Sequence, residues 1–190
     1  MSKARLAIFA SGSGTNAEQI ILHFLGHKQI EVGLVLSNNP NAFVLERAKK
    51  LNVPVRIFSR VQFTESGEVL KWLKKNKITH IVLAGFMWLM PEKIIRQYPE
   101  KIINIHPALL PKFGGKGMYG IHVHEAVKAA GENVTGITIH VVNEKYDEGK
   151  ILFQASCAID ATDSPERIAE KVHALEYQHY SNQIGKWISG

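Results

Sequence analysis

The 190-residue sequence contains a single cysteine, Cys157, so no disulfide can form within the chain. One thiol favours a reducing compartment, and a domain of this length buries roughly 70% of its unfolded surface without needing cross-links. No apolar run approaches the ~20 residues of a membrane-spanning helix. The apolar run at residues 6–10 is too short for the core of a secretory signal. We therefore expect a soluble, cytoplasmic protein that forms one domain over residues 1–190.

Negative charge is also scarce, since 23 lysines and arginines face 17 aspartates and glutamates and the formal net charge is +6. A positive net charge favours the binding of small anionic molecules as much as the binding of nucleic acid. No aromatic RNA-binding pattern accompanies the charge, and no repeat or linker divides the chain. The sequence thus predicts small-molecule substrates, no nucleic-acid or membrane partner, and either a monomer or a homodimer.

Strand-like and helix-like segments alternate through the first two thirds of the chain. The strands are predicted at "RLAIFA", "EVGLVLSN", "VPVRIF", "HIVLAGF" and "KIINIH". Two further strands, "NVTGITIHVVN" and "KILFQASCAI", follow each other through the hairpin "EKYDEG", and Ser164 with Pro165 predicts the start of a long final helix. This order predicts an α/β, Rossmann-like fold with a mostly parallel central sheet, helices on both faces and an antiparallel C-terminal strand pair.

Four polar or glycine-containing segments follow predicted strands, namely "SGSGTN", "SNN", "AGFM" and "NIHP". Ligands of open α/β sheets bind beyond the carboxyl ends of the strands. We therefore expect these four segments to converge on one crevice.

The segment "GSGTNA" at residues 12–17 matches G-x-G-x-x-A between a strand and a helix, which suggests dinucleotide binding. The acidic residue expected at the end of the second strand is missing, because that place holds Ser37, Asn38 and Asn39. No Gly-Lys-Ser/Thr is present either. The remaining interpretations are a backbone N–H nest suited to one phosphate and a plain tight turn.

Asn104 and His106 close a buried strand and, two residues apart, should point to the same side. They are either a satisfied polar pair or a donor pair for an oxyanion on a carbonyl carbon. A carboxylate among Glu144, Asp147 and Glu148 near His106 would raise the pKa of the imidazole. No G-x-S-x-G motif is present and Cys157 is predicted to be a small buried hydrophobe, so the attacking group would come from a substrate.

Several histidines raise the alternative of a metal site. His122 and His124 form H-x-H, and the other histidines considered are His106, His140, His173 and His179. No HExxH or CxxC motif is present, and H-x-H on a helix directs the two rings to different faces. We therefore expect no metal.

The combination of "SGSGTN", "LAGFM", "NIHPALLPKF" and "GITIHVVNEKYDEGKILFQ" resembles the glycinamide ribonucleotide formyltransferases of purine synthesis, in the right order over nearly the whole chain. The resemblance implies transfer of a formyl group from the co-substrate 10-formyltetrahydrofolate to the amine of 5-phosphoribosylglycinamide. Relatives that act on methionyl-tRNA or hydrolyse formyltetrahydrofolate share the "NIHPALLP" element but carry extra domains, so the length favours the glycinamide substrate. The alternatives are a formyltransferase for another amine, such as a nucleotide amino-sugar, a formyltetrahydrofolate hydrolase, and a non-catalytic nucleotide-binding module.

The resemblance also assigns roles to individual residues. The catalytic residues would be Asn104, His106 and Asp147. Binding of the phosphate and ribonucleotide would fall to Gly14, Thr15, Asn16, His173 and Glu176. Folate would contact Met87, Trp88, Leu89, Met90, Asn104, Asn143, Glu144, Lys145, Tyr146 and Asp147. The sequence departs from the usual pattern at Trp88, where arginine is common, at Ala108, where serine is frequent, and at Glu148, where glycine is usual.

Overall fold

A computed structural model describes residues 3–190, in which strands and helices alternate along the chain. The strands are β1 (Ala4–Phe9), β2 (Ile30–Ser37), β3 (Val55–Ile57), β4 (His80–Leu83), β5 (Ile102–His106), β6 (Val134–Val141) and β7 (Ile151–Ala158). The helices are α1 (Thr15–His23), α2 (Val44–Lys50), α3 (Arg60–Thr64), α4 (Glu68–Lys75), α5 (Glu92–Gln97), α6 (Ile121–Ala129) and α7 (Pro165–Ser189).

The strands form one sheet in the order β3-β2-β1-β4-β5-β6-β7. The contacts among β1 to β5 are parallel, whereas β6 runs antiparallel to both β5 and β7. In the register of β5 and β6, Asn104 lies opposite His140 and His106 opposite Thr138. The predicted fold class is thereby confirmed, including the antiparallel C-terminal strand pair.

Helices cover both faces of the sheet because each presents an apolar stripe to it. On one face α1, α2, α6 and α7 pack through Ile20, Val44, Val127 and Ile184. On the other face α3, α4 and α5 pack through Phe63, Leu73 and Ile94. The strands between the two layers are consequently apolar on both sides, which explains the near-continuous hydrophobic runs in β1 and β4.

Local capping signals fix several helix ends. The Ser164 hydroxyl accepts a hydrogen bond from the Arg167 N–H, and Pro165 occupies the first turn, so the predicted start of α7 is confirmed. The short helix α3 was not predicted from the sequence. It begins with a capping box in which the Ser59 hydroxyl accepts from the Gln62 N–H and the Gln62 side chain accepts from the Ser59 N–H.

The prediction that Cys157 is a buried hydrophobe is wrong, because its side chain is only half-buried. It lies on β7, an edge strand whose residues alternate between exposed and half-buried. An edge strand has a neighbour on one side alone, which leaves its side chains more open than those of the central strands. Separately, none of the helices within residues 3–190 is both long and apolar enough to span a bilayer.

Candidate active site

A cavity of about 710 Å³ opens at the carboxyl ends of β1, β4 and β5. Its wall combines the segments that follow these three strands with the loop before α6, part of the β6–β7 hairpin and one side of α7. Three of the four segments expected to converge therefore do so. The fourth, at residues 37–39, is not part of the wall. Asn38 instead accepts a hydrogen bond from the Ser11 hydroxyl (2.7 Å), which itself accepts from the Met87 N–H (3.1 Å), so this segment supports two cavity loops from behind.

Asn104 is oriented by a cross-strand histidine that the sequence did not identify as functional. Nδ2 of Asn104 lies 3.2 Å from Nε2 of His140, and Nδ1 of His140 lies 3.0 Å from the Val141 carbonyl oxygen. Since a carbonyl only accepts, the His140 proton is on Nδ1 and Nε2 accepts from the Asn104 amide. This bond fixes one amide N–H and leaves the second free to point toward a ligand.

His106 is buried, with 3% of its surface exposed, and both ring nitrogens face polar groups. Nε2 donates to the Phe113 carbonyl oxygen at 2.7 Å, while Nδ1 lies 3.5 Å from Oδ2 of Asp147. Burial lowers the pKa of His106 and outweighs the opposing effects of the Asp147 charge and the Phe113 carbonyl. The nearby carboxylate thus raises this pKa as expected, but burial lowers it more, and the resting imidazole is neutral with its proton on Nε2.

Asp147 is the hairpin carboxylate that reaches His106. Its Oδ2 accepts from the Gly115 N–H at 2.9 Å, and its Oδ1 lies 3.5 Å from Nε2 of His140. Burial alone would raise the pKa of Asp147, but His140 and His106, when they carry a proton toward it, and the Gly115 N–H lower it, so the carboxylate stays charged. Asp147 also has a φ of 56°, a left-handed conformation that is uncommon outside glycine and often found at functional sites.

The residues expected to bind the phosphate surround the start of α1. Gly14 caps this helix with a φ of 74°, and a Cβ added there would lie 2.4 Å from the Val44 side chain, so only glycine fits. Thr15 and Asn16 form the first turn and line the cavity. Their N–H groups belong to the unpaired donors of a helix N-terminus, which favours an anion.

The two residues expected on α7 also line the cavity but differ in environment. Glu176 is 5% exposed and accepts a hydrogen bond from Nδ2 of Asn16 at 2.8 Å. Burial raises the pKa of Glu176, and the Asn16 bond and the His173 charge offset only part of that effect. His173, one turn earlier, is exposed and its ring stacks on Tyr177.

The expected folate residues divide between the cavity and its surroundings. Residues 87–90 line the wall, and Trp88 joins a cluster of the aromatic rings of Phe58, Phe63 and Phe86. The Arg60 guanidinium lies 4.4 Å from the centre of the Trp88 ring. In the hairpin, Lys145, Tyr146 and Asp147 line the cavity, whereas the exposed Glu144 and the half-buried Asn143 do not.

The histidines of the H-x-H motif separate as predicted, with His122 exposed and His124 buried in the cavity wall. No three histidine, cysteine or acidic side chains within residues 3–190 come together in an arrangement that could hold a metal ion. Several residues of the cavity wall were not connected with the site from the sequence, among them His140, His124 and Arg60. Alternation along β6 was the one signal for His140, because it places His140 on the same side as Thr138.

A family model described as "Formyl transferase" matches residues 4–184. A chloroplastic phosphoribosylglycinamide formyltransferase of Arabidopsis thaliana is 38% identical over 96% of this chain, which spans 65% of that relative's length. A phosphoribosylglycinamide formyltransferase of Haemophilus influenzae is 35% identical over 97% of this chain and 87% of the relative. The crystal structure of the phosphoribosylglycinamide formyltransferase from Bacillus halodurans is 39% identical, with a TM-score of 0.87 over 97% of this chain and 95% of its own.

These likenesses cover the strands, the cavity loops and the helix α7 together, not a single motif. The match includes the segment that contains Asn104 and His106 and the hairpin that contains Asp147. The chain therefore belongs to the formyl transferase family.

Proposed function

We propose that this protein transfers the formyl group of 10-formyltetrahydrofolate to the amine of 5-phosphoribosylglycinamide, giving the formylated ribonucleotide in purine (IMP) biosynthesis. One observation carries the proposal: Asn104, His106 and Asp147 line the same cavity as the Gly14 helix N-terminus and Glu176. The residues suited to acyl transfer and those suited to ribonucleotide binding therefore line one cavity. The names of the relatives from Haemophilus influenzae and Bacillus halodurans support the same substrate. We further propose that residues 1–190 act as a single cytoplasmic formyltransferase domain.

The chemistry follows from the state of each catalytic group. The neutral amine attacks the formyl carbon, a C–N bond forms, and the carbonyl π electrons move to the oxygen. The amide N–H of Asn104 that is not bonded to His140 donates to this oxyanion. Neutral His106 takes up the proton that the amine loses, and the Asp147 carboxylate, 3.5 Å from Nδ1, stabilises the resulting imidazolium. Collapse breaks the bond to the folate nitrogen, which receives the proton.

Binding of the acceptor would use the start of α1 and the buried part of α7. The N–H groups following Gly14 suit the phosphate, because they carry the positive end of the helix dipole. Glu176, held by Asn16, suits the ribose hydroxyls as a hydrogen-bond acceptor. The exposed ring of His173 would lie at the rim of the same subsite.

The folate would lie along residues 87–90 and the hairpin residues Lys145 and Tyr146, which line the cavity. The pterin is flat and apolar on its faces, so the rings of Phe86 and Trp88 in the cavity wall offer a suitable surface. Asn143 and Glu144, outside the wall, would contribute only through the backbone of the hairpin.

The test is a spectrophotometric assay with 10-formyl-dideazafolate as donor, with and without 5-phosphoribosylglycinamide, in the presence of a chelator. We expect deformylation that depends on the acceptor and survives chelation. The variant His106→Ala should lose orders of magnitude in kcat while donor binding persists, because its role lies in the transition state. The matched control is His122→Ala, at an exposed histidine outside the cavity wall.

Each other result of this assay would overturn the proposal in a recognisable way. Deformylation without an acceptor would identify a hydrolase. Transfer only to a different amine, such as a nucleotide amino-sugar, would assign another acceptor. Near-normal turnover of His106→Ala would remove His106 from the mechanism.

A further inference from the structure

Helix α2 lies against the loop that leads into α1, on the side of the loop away from the cavity. Residues 12–16 line the cavity, whereas none of the residues that the structure describes in α2 does. The Val44 N–H donates to the Gly12 carbonyl oxygen at 3.2 Å. Nε of Arg47 donates to the Ser13 carbonyl oxygen at 3.0 Å. Two successive carbonyl groups of the loop are therefore turned toward α2.

These hydrogen bonds also set the direction of the N–H groups that follow. In a planar trans peptide, the carbonyl group of one residue and the N–H of the next point in opposite directions. Both loop peptides are trans. Because the Gly12 and Ser13 carbonyl groups point to α2, the N–H groups of Ser13 and Gly14 point to the cavity side. Neither N–H has a backbone acceptor among residues 3–190, so both are available to a ligand.

The peptide between Ser13 and Gly14 is the one that most needs to be held. Gly14 has a φ of 74°, and glycine accepts φ values of either sign, so the peptide plane before it can turn over at little cost. In the turned-over state, the Ser13 carbonyl oxygen would face the cavity and repel an anion. The hydrogen bond from Arg47 opposes this rotation.

Arg47 is itself held in place by two further contacts. Its Nη1 forms an ion pair with Oε2 of Glu18, in the first turn of α1, and its guanidinium lies 4.9 Å from the centre of the Phe43 ring. A planar guanidinium can donate to two partners and stack on a ring at once, which an ammonium cannot. The ion pair also offsets the charge of Arg47, so its effect on the cavity passes through the loop.

We propose that Arg47 is a positioning residue for the phosphate of the acceptor substrate. It holds the Ser13 carbonyl group against α2 and thereby keeps the Gly14 N–H directed at the phosphate. This inference rests on the proposed function, in which the phosphate binds at the start of α1. Arg47 does not line the cavity, so its loss should weaken phosphate binding and leave the chemical step at Asn104 and His106 intact.

The test compares the parent with Arg47→Met, which keeps an apolar stem but has no donor. The acceptors are 5-phosphoribosylglycinamide and its dephosphorylated form. We expect KM for the phosphorylated acceptor to rise about 5- to 50-fold, with kcat retained. Neither kcat/KM for the dephosphorylated acceptor nor KM for the formyl donor should change. The matched control is Lys50→Met, which removes one positive charge from the exposed end of the same helix and should change none of these values.

Arg47→Lys serves as a second variant if Arg47→Met does not fold. It keeps the charge but has no second nitrogen for Glu18, so it should raise the same KM by a smaller factor. An equal loss with both acceptors would show that Arg47 acts through the stability of the fold, and would overturn the inference. An unchanged KM for the phosphorylated acceptor in the folded variants would overturn it as well.

Calorimetric binding of the two acceptors without folate separates this inference from the proposed function. If the parent prefers the phosphorylated acceptor, and Arg47→Met loses that preference, the role of Arg47 stands even when no formyl group is transferred. If the parent transfers the formyl group and Arg47→Met does so with the same KM, the function stands and the inference fails.

Discussion

The substitution His124→Phe should make the folded protein more resistant to acid. The histidine pKa is 6.5 in the unfolded chain and about 4 in the folded protein, so the unfolded chain takes up this proton first. The parent consequently loses stability as the pH falls below 6.5, and the loss is complete below pH 4. From these two values the loss amounts to about 2 kcal/mol between pH 7 and pH 5, and to about 3 kcal/mol in full. Phenylalanine does not titrate, so the variant does not lose this part of its stability as the pH falls.

Urea unfolding followed by tryptophan fluorescence at pH 7 and pH 5 measures the effect. The free energy of unfolding of the variant should fall by about 2 kcal/mol less than that of the parent over this interval. Other titrating groups contribute to both proteins and largely cancel in the comparison. His122→Phe, at an exposed histidine, should lose as much unfolding free energy between pH 7 and pH 5 as the parent does.

A parent and a His124→Phe variant that lose the same stability between these pH values would refute the reasoning. His124 would then take up a proton as readily in the folded protein as in the unfolded chain. The neutral state of the buried ring would have to be abandoned.

Three further substitutions test the geometry elsewhere. His140→Phe removes the acceptor of the Asn104 amide, so kcat should fall roughly 10²- to 10³-fold while donor binding is retained; an unchanged kcat would show that Asn104 needs no orientation. Gly136→Ala would place a Cβ 2.0 Å from the Ala155 carbonyl oxygen, and urea unfolding should show a loss of about 1–3 kcal/mol. Gly185→Ala, in α7 with its nearest neighbour 4.0 Å away, should instead be neutral or stabilising.

The fold could be predicted from the sequence because its signals are local. Apolar runs bounded by turns located the strands, and Ser164 with Pro165 located the start of α7. The short helix α3 escaped prediction although Ser59 and Gln62 form a capping box. Five residues are too few to show a helical period, and α3 is held by its tertiary contacts through Phe63.

The site was predictable in position but not in its electrostatics. The rule that parallel strands bind ligands at their carboxyl ends located three of the cavity segments. It failed at residues 37–39, where Asn38 turns to Ser11 and supports the wall instead of forming it. The carboxylate near His106 raises the pKa of the imidazole as expected, but the larger, opposite effect of burial could not be predicted, because a sequence does not give the depth at which a side chain lies.

The cross-strand partner of Asn104 illustrates why such contacts lie beyond local patterns. His140 follows Asn104 by 36 residues, and the two meet only because β6 pairs with β5 in one register. A shift of one residue would bring Ile139 or Val141 opposite Asn104 and turn the imidazole to the other face. The residues that bear the chemistry are thus encoded in short motifs, whereas the residue that orients one of them is encoded in the register of the sheet. A substitution that disturbs the β5–β6 register should therefore impair catalysis without altering any catalytic residue.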